Sequence, residues 1–253
     1  MQRIIDQFYR LILREKGQLY ALQNEKGAYI SQKSKGLKPT DMEKHIEGKI
    51  TVAAKLIEPG TNWAKVAVVD FDGLEDDLEE LYHLPRQIQL EAEQLGIDSY
   101  IEFSGRRGFH LWIFLDSALP AKTIRRAIKA LCLQTGYEPK EIFPCSDTIT
   151  ADGKKESNGI KLPYALHKVS GKQSGFLAGE VGWENGYPII QPAELMADFG
   201  QTESAKLVEL ADGRALSYRQ VGRNLSGAAM MILLGRKLRI RRWDSFFQNL
   251  AVL

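Results

Sequence analysis

The sequence predicts a mixed helix-and-strand protein of the α+β class, and three observations carry that expectation. Two strand-like segments, DSYIEF (98–103) and FHLWIFL (109–115), are separated by SGRRG, a short loop with two glycines, which is the pattern of an antiparallel hairpin. A valine-rich apolar run, KVAVVDFDG (65–73), ends on glycine and reads as a buried strand. Amphipathic helical segments flank both features.

Ile4, Ile5, Phe8, Leu11 and Ile12 recur at helical spacing, so residues 3–14 open the chain as an amphipathic helix. Glycine and lysine punctuate residues 25–38, and MEKHIEGKITVAAKLI reads as a short helix that breaks at Gly48 into a strand. After the buried strand, leucine or isoleucine at 74, 78, 81, 84, 88 and 95 gives one or two helices, with Pro85 at a break or a new first turn. Pro120 precedes an amphipathic helix near 121–134. Residues 144–158 are turn-rich, 159–177 mix strand and turn, and WENGYP (183–188) reads as a loop. From about residue 200 the chain becomes helical and basic, with GRKLRIRRW at 235–243.

Composition excludes several function classes. The 253 residues are 44% apolar and 26% charged, with a net charge of only +2, so any nucleic-acid contact must come from local charge. Cys132 and Cys145 form no CxxC pair and have no neighbouring histidine, which argues against structural zinc and against a disulfide scaffold. The charged N-terminus is unlike a signal peptide, and the longest apolar stretch, GAAMMILLG (227–235), is far short of the ~20 residues a membrane span needs. A cytoplasmic protein without a membrane partner is expected.

Asp70 and Asp72 stand at i and i+2 near a strand end, so their carboxylates share a face. Such a pair suits a hard cation such as Mg²⁺ or Mn²⁺, or else a solvated acidic turn, since LEDDLEE follows. Arg106 and Arg107, between glycines, suit phosphate oxygens or an exposed hairpin tip. His110 alternates with Trp112 and Phe114 and faces either a core or a ligand. Asp147 in SDTIT is a third acid or a turn cap, and Lys161 and His167 flank a proline that keeps their segment extended.

Taken in order, VVDFD, SGRRGFH, SDTIT and IKLPYALHKVSGK resemble the motifs of the archaeo-eukaryotic primase superfamily over roughly residues 45–180. The likeness is nearest to the primase-polymerases of mobile elements and CRISPR-associated loci. It implies an RRM-like, mainly antiparallel catalytic sheet with an N-terminal αβ module. The expected domain is residues 1–200, with the module at about 1–64 and the core at about 65–200, followed by a helical basic segment at 201–253.

The resemblance further implies Asp70, Asp72 and Asp147 as ligands of two Mg²⁺ or Mn²⁺ ions, with Asp152 as a fallback for the third. It implies Ser104, Arg106, Arg107, His110, Lys161 and His167 as holders of an incoming NTP or dNTP. His110 also belongs to the catalytic set it suggests. No zinc is expected. The implied activity is synthesis and extension of primers on single-stranded DNA. A gap-filling or end-joining polymerase and a catalytically silent nucleic-acid-binding module are the alternatives. Arg239, Arg241, Arg242 and Trp243 either grip template or are a solvated helix face, and CRISPR adaptation or mobile-element replication proteins are the partner class the resemblance suggests.

Overall fold

Ile4, Ile5, Phe8 and Leu11 form the buried stripe of α1 (Gln2–Leu11), as their spacing requires. The structure is a computed structural model and describes residues 1–214 apart from 15–16, 33–35, 75–76, 151–157 and 180. A hairpin of β1 (Tyr20–Gln23) and β2 (Tyr29–Ser31) follows and leads into the glycine- and lysine-punctuated stretch, turning at Gly27 with φ +85°. Then come α2 (Pro39–Ile46) and β3 (Val52–Ala54), separated by Gly48 at φ +74°.

The next six elements are β4 (Trp63–Asp72), α3 (Leu78–Gln94), β5 (Tyr100–Phe103), β6 (Gly108–Pro120), α4 (Ala121–Gln134) and β7 (Glu141–Phe143). This βαββαβ run folds into an antiparallel sheet in the order β7-β4-β6-β5, which is the RRM-like arrangement the resemblance implied. Pro85 does not divide α3, which runs through it as one helix.

Beyond β7 the chain returns to both sheets. β8 (Ile160–Lys161) pairs with β3, so the N-terminal sheet has the order β2-β1-β3-β8 and is not built from residues 1–64 alone. β9 (Gly175–Phe176) then adds to the free edge of β5. The expected loop at 183–188 is a tight hairpin of β10 (Trp183–Glu184) and β11 (Tyr187–Pro188). Asn185 and Gly186 both take positive φ (52° and 77°), the requirement of a type I′ turn, and the Asn-Gly pair is its sequence signal. A 3₁₀ turn (Ala193–Asp198) and α5 (Ser204–Ala211) complete the described elements.

Period-two alternation gives the five-stranded sheet two apolar faces. Val69, Phe71, Leu111 and Ile113 pack against α3, α4 and α5, where Leu207 and Leu210 are buried. Val66, Val68, Trp112 and Phe114 pack with Phe8, Met42 and Val52 of the N-terminal unit. Both faces of this sheet are thus covered over most of its length.

His45 in α2 locks that second core. Its Nδ1 accepts from the Val52 N–H at 3.0 Å, its Nε2 donates to the Pro163 carbonyl at 2.9 Å, and the residue is fully buried. Burial pushes its pKa down to about 4, with Lys161 adding to the fall and the Pro163 bond opposing it. The folded value lies below the unfolded value of about 6.5. The neutral ring therefore stabilises the fold fully above that pH, and the contribution is lost as pH falls towards 4. Urea unfolding should record a loss of about 3 kcal/mol across this window from His45, a dependence that His45→Gln should flatten.

Candidate active site

The strand register lines up four ionisable residues across the five-stranded sheet. Glu141 lies opposite Asp70, Asp70 opposite His110, and His110 opposite Glu102. The row continues the face that carries Val68 and Trp112, since residues two apart on a strand point the same way. At this end of the sheet the apolar packing stops and polar side chains take over.

Glu102 is the most constrained member of the row and is wholly inaccessible to solvent. Its Oε2 accepts from His110 Nδ1 at 2.8 Å and from the Trp112 indole at 2.7 Å, and its Oε1 from Lys161 Nζ at 3.0 Å. Burial alone would raise this carboxyl, but the charges of Lys161 and His110 and their hydrogen bonds outweigh it and hold it down to about 2. Burial also works against the His110 imidazolium, and Glu102, assisted by Asp70, reverses that and raises its pKa. With Nδ1 committed to Glu102, Nε2 lies 3.6 Å from Asp70 Oδ1.

Asp70 and Asp72 stand together at the end of β4. Burial raises the Asp70 pKa, His110 pulls it back, and Asp72 adds to the rise. Glu141 is raised by burial first and then by Asp70 and Asp72. These carboxylates repel one another, a strain that a divalent cation relieves. Among the described residues no cluster of three or more acids, histidines and cysteines has the spacing of a complete metal cage. Two adjacent carboxylates nonetheless fit a hard ion such as Mg²⁺, which takes its remaining ligands from water and substrate phosphates.

The SGRRG loop closes tightly over this edge. The Ser104 N–H donates to the Gly108 carbonyl at 2.9 Å, and the Gly73 N–H to the Arg107 carbonyl at 3.0 Å. Gly105 takes φ +87°, and a Cβ at this position would press on the His167 side chain and the Lys172 carbonyl. Arg107 forms a half-exposed ion pair with Asp72 at 3.1 Å, a type of contact worth little and readily exchanged for a stronger ligand.

Asp70, Asp72, Ser104, Arg106, Arg107, His110, Lys161 and His167 all line one cavity of about 510 Å³, facing Gln23, Tyr29 and Lys55 of the N-terminal unit. The structure thus brings together every expected site residue of the core except Asp147. A second cavity of about 600 Å³ is bordered by Asp70, Asp72, Glu141, Arg125 and Lys140.

Asp147 lines neither cavity; its side chain is 61% exposed and pairs with Arg125, which also donates to the Pro144 and Ser146 carbonyls. Asp152, Arg239, Arg241, Arg242 and Trp243 lie outside the described residues. Two residues of the row were not anticipated from sequence. Glu102 was signalled only by an acid inside an apolar strand beside the SGRRG loop, and Glu141 by an acid heading a short strand before Phe-Pro.

A βαββαβ sheet with paired acids on its first strand and a Ser-Gly-Arg-Arg-Gly-x-His hairpin on its second and third defines the class, and the chain belongs to the archaeo-eukaryotic primases. Residues 9–187 match the archaeo-eukaryotic primase domain of the TOTE conflict system (AEP-TOTE). At the family level this makes it a nucleotidyltransferase of the primase-polymerase type, a class generally dependent on divalent metal. Among solved structures, the AEP domain of the cyanophage S-2L primase-polymerase (PrimPol, PP-N190) aligns with a TM-score of 0.41 at 12% identity, covering 79% of this chain and 97% of that one. No curated protein matches the chain. No helix among the described residues is long and apolar enough to cross a membrane.

The junction of Asp72 and Gly108 yields a structural test. A Cβ at Gly108 would overlap the Phe71 carbonyl oxygen, a backbone atom that cannot turn aside. Gly108→Ala should therefore cost about 1–3 kcal/mol, read as a lower urea midpoint, and should disturb the Asp72 carboxylate with it.

Proposed function

We propose that this protein is a template-dependent nucleotidyltransferase that starts primers on single-stranded DNA and extends them from NTPs or dNTPs. The observation that carries the reading is the single cavity in which Asp70 and Asp72 face Arg106, Arg107 and His110. Acids that suit metal and cations that suit phosphate are thereby set within one nucleotide-sized space.

In this reading Asp70 and Asp72 hold Mg²⁺ or Mn²⁺ in a two-ion scheme. The bound metal would activate the attacking 3′-hydroxyl and neutralise charge on the triphosphate. Ser104, Arg106, Arg107, His110 and His167 grip the phosphates by charge-assisted hydrogen bonds, and His110 offers Nε2 because Glu102 already occupies Nδ1. Such donors act most strongly on charge that develops as the leaving pyrophosphate departs.

The third carboxylate is proposed as Glu141 in preference to Asp147. The support is its register opposite Asp70, against the engagement of Asp147 with Arg125. The basic segment at 236–243 is kept as a candidate template grip, and the division at about residue 200 as a candidate domain boundary. Proteins of CRISPR adaptation or mobile-element replication remain candidate partners, supported by the conflict-system setting in the family's description.

Two measurements test the reading. On an unprimed single-stranded template with Mg²⁺ or Mn²⁺, the wild type should make short products that Asp70→Ala/Asp72→Ala abolishes. Extension of a supplied primer without new chains would leave a gap-filling polymerase, and binding without synthesis a silent module. In the same assay Glu141→Gln should lower the rate by on the order of 100-fold and Asp147→Asn by less than about tenfold, and the reverse order would restore Asp147 to the metal site.

A further inference from the structure

The buried network behind His110 leads to a different role for Lys161 from the one its motif suggests. We propose that Glu102 is a positioning residue for His110, and that Lys161 serves as the counter-charge of Glu102 instead of holding the nucleotide's phosphates. The proposal rests on the nucleotidyltransferase reading above and assigns the division of labour within that site.

Three observations support it. An ammonium group has three donors, and those of Lys161 are all engaged: with Glu102 Oε1 at 3.0 Å, Ser174 Oγ at 2.8 Å and the Leu162 carbonyl at 3.3 Å. The side chain is 5% exposed, so although it borders the cavity it presents almost no surface to a ligand. Swinging towards a phosphate would take a partner from a fully buried carboxylate, and removing one partner of a buried ion pair is strongly destabilising.

The second half concerns His110. An imidazole that donates from Nδ1 to a fixed acceptor is set in both tautomer and ring plane. Glu102 is such an acceptor, because the Trp112 indole and Lys161 hold its two oxygens against rotation. The ring is thereby aimed with Nε2 towards Asp70 and the cavity. Lys161 thus acts on the substrate through two intermediaries, and the phosphates meet His110, Arg106 and Arg107.

Steady-state kinetics and NMR on the full chain test this together. Lys161→Met should lower kcat for primer extension by on the order of tenfold while the nucleotide KM stays within about twofold. A KM raised tenfold or more would make Lys161 a phosphate ligand and overturn the proposal. The double variant Glu102→Leu/Lys161→Met, which leaves no stranded charge, should be no slower than the worse of its single variants, and losses that multiply would also overturn it.

Independently of activity, the Nδ1 proton of His110 should give a low-field signal in protein labelled with ¹⁵N-histidine, assigned by its loss in His110→Asn. That signal should vanish in the double variant, and its persistence would defeat the positioning role. If the wild type makes no product, the nucleotidyltransferase reading fails by itself and the NMR result still decides for or against the network. Should the double variant fail to fold, Trp112→Phe keeps the ring in the core and removes one donor to Glu102. A kcat lowered several-fold at unchanged KM then supports the proposal, and an unchanged kcat overturns it.

Discussion

One carboxylate beyond the reach of water organises this protein. An ionised Glu102 in the interior would cost several kcal/mol if left alone, and three donors from two strands prevent that. Two of those donors, His110 and Trp112, come from β6 in the same sheet, and the third, Lys161, arrives on β8 from the other. The requirement to neutralise one buried charge therefore fixes a histidine at the cavity and fastens the N-terminal sheet to the catalytic one. Such networks are weak evidence for stability and better evidence for a unique arrangement.

The site also depends on where the apolar faces of the catalytic sheet run out. Along β4 the side chains alternate between the two cores until Asp70, where one face changes from valine to carboxylate and the other continues with Phe71. The same change occurs on β6 between Trp112 and His110 and on β7 between Phe143 and Glu141. Polar groups that would be costly mid-sheet are thus gathered at its end, beside a loop whose glycines allow the backbone to close in. Packing supplies the rigidity and the sheet edge supplies the access, the usual division between scaffold and site.

Much of this was legible in the sequence, for identifiable reasons. Asp70 and Asp72 were readable as neighbours on one face because period two fixes the face of a strand residue without any tertiary knowledge, whereas SGRRG and His110 kept a hairpin-tip and a core reading open until the order of the motifs joined them. The helix at 121–134 and the buried strand at 65–72 followed from unambiguous apolar patterns. Glu102 was overlooked because an acid in a four-residue strand gains its meaning only from partners eight, ten and fifty-nine residues away. Glu141 and Asp147 could not be ranked without the register of β7 against β4. The Asn-Gly turn at 185–186 carried a local signal that the reading of a plain loop passed over.

The pairing of β3 with β8 has a consequence for how the chain reaches this state. Ala53 finds its partner in Lys161 only after the whole βαββαβ core has intervened, more than a hundred residues later. During synthesis β3 therefore emerges with one edge unpaired, and an unpaired edge is a template onto which another strand can add. The last stitch in the N-terminal sheet is also the one that delivers the counter-ion to Glu102. Completion of the scaffold and electrical neutrality of the interior are consequently a single late, long-range event, and a chain that has not yet made it is neither closed nor equipped to aim its histidine.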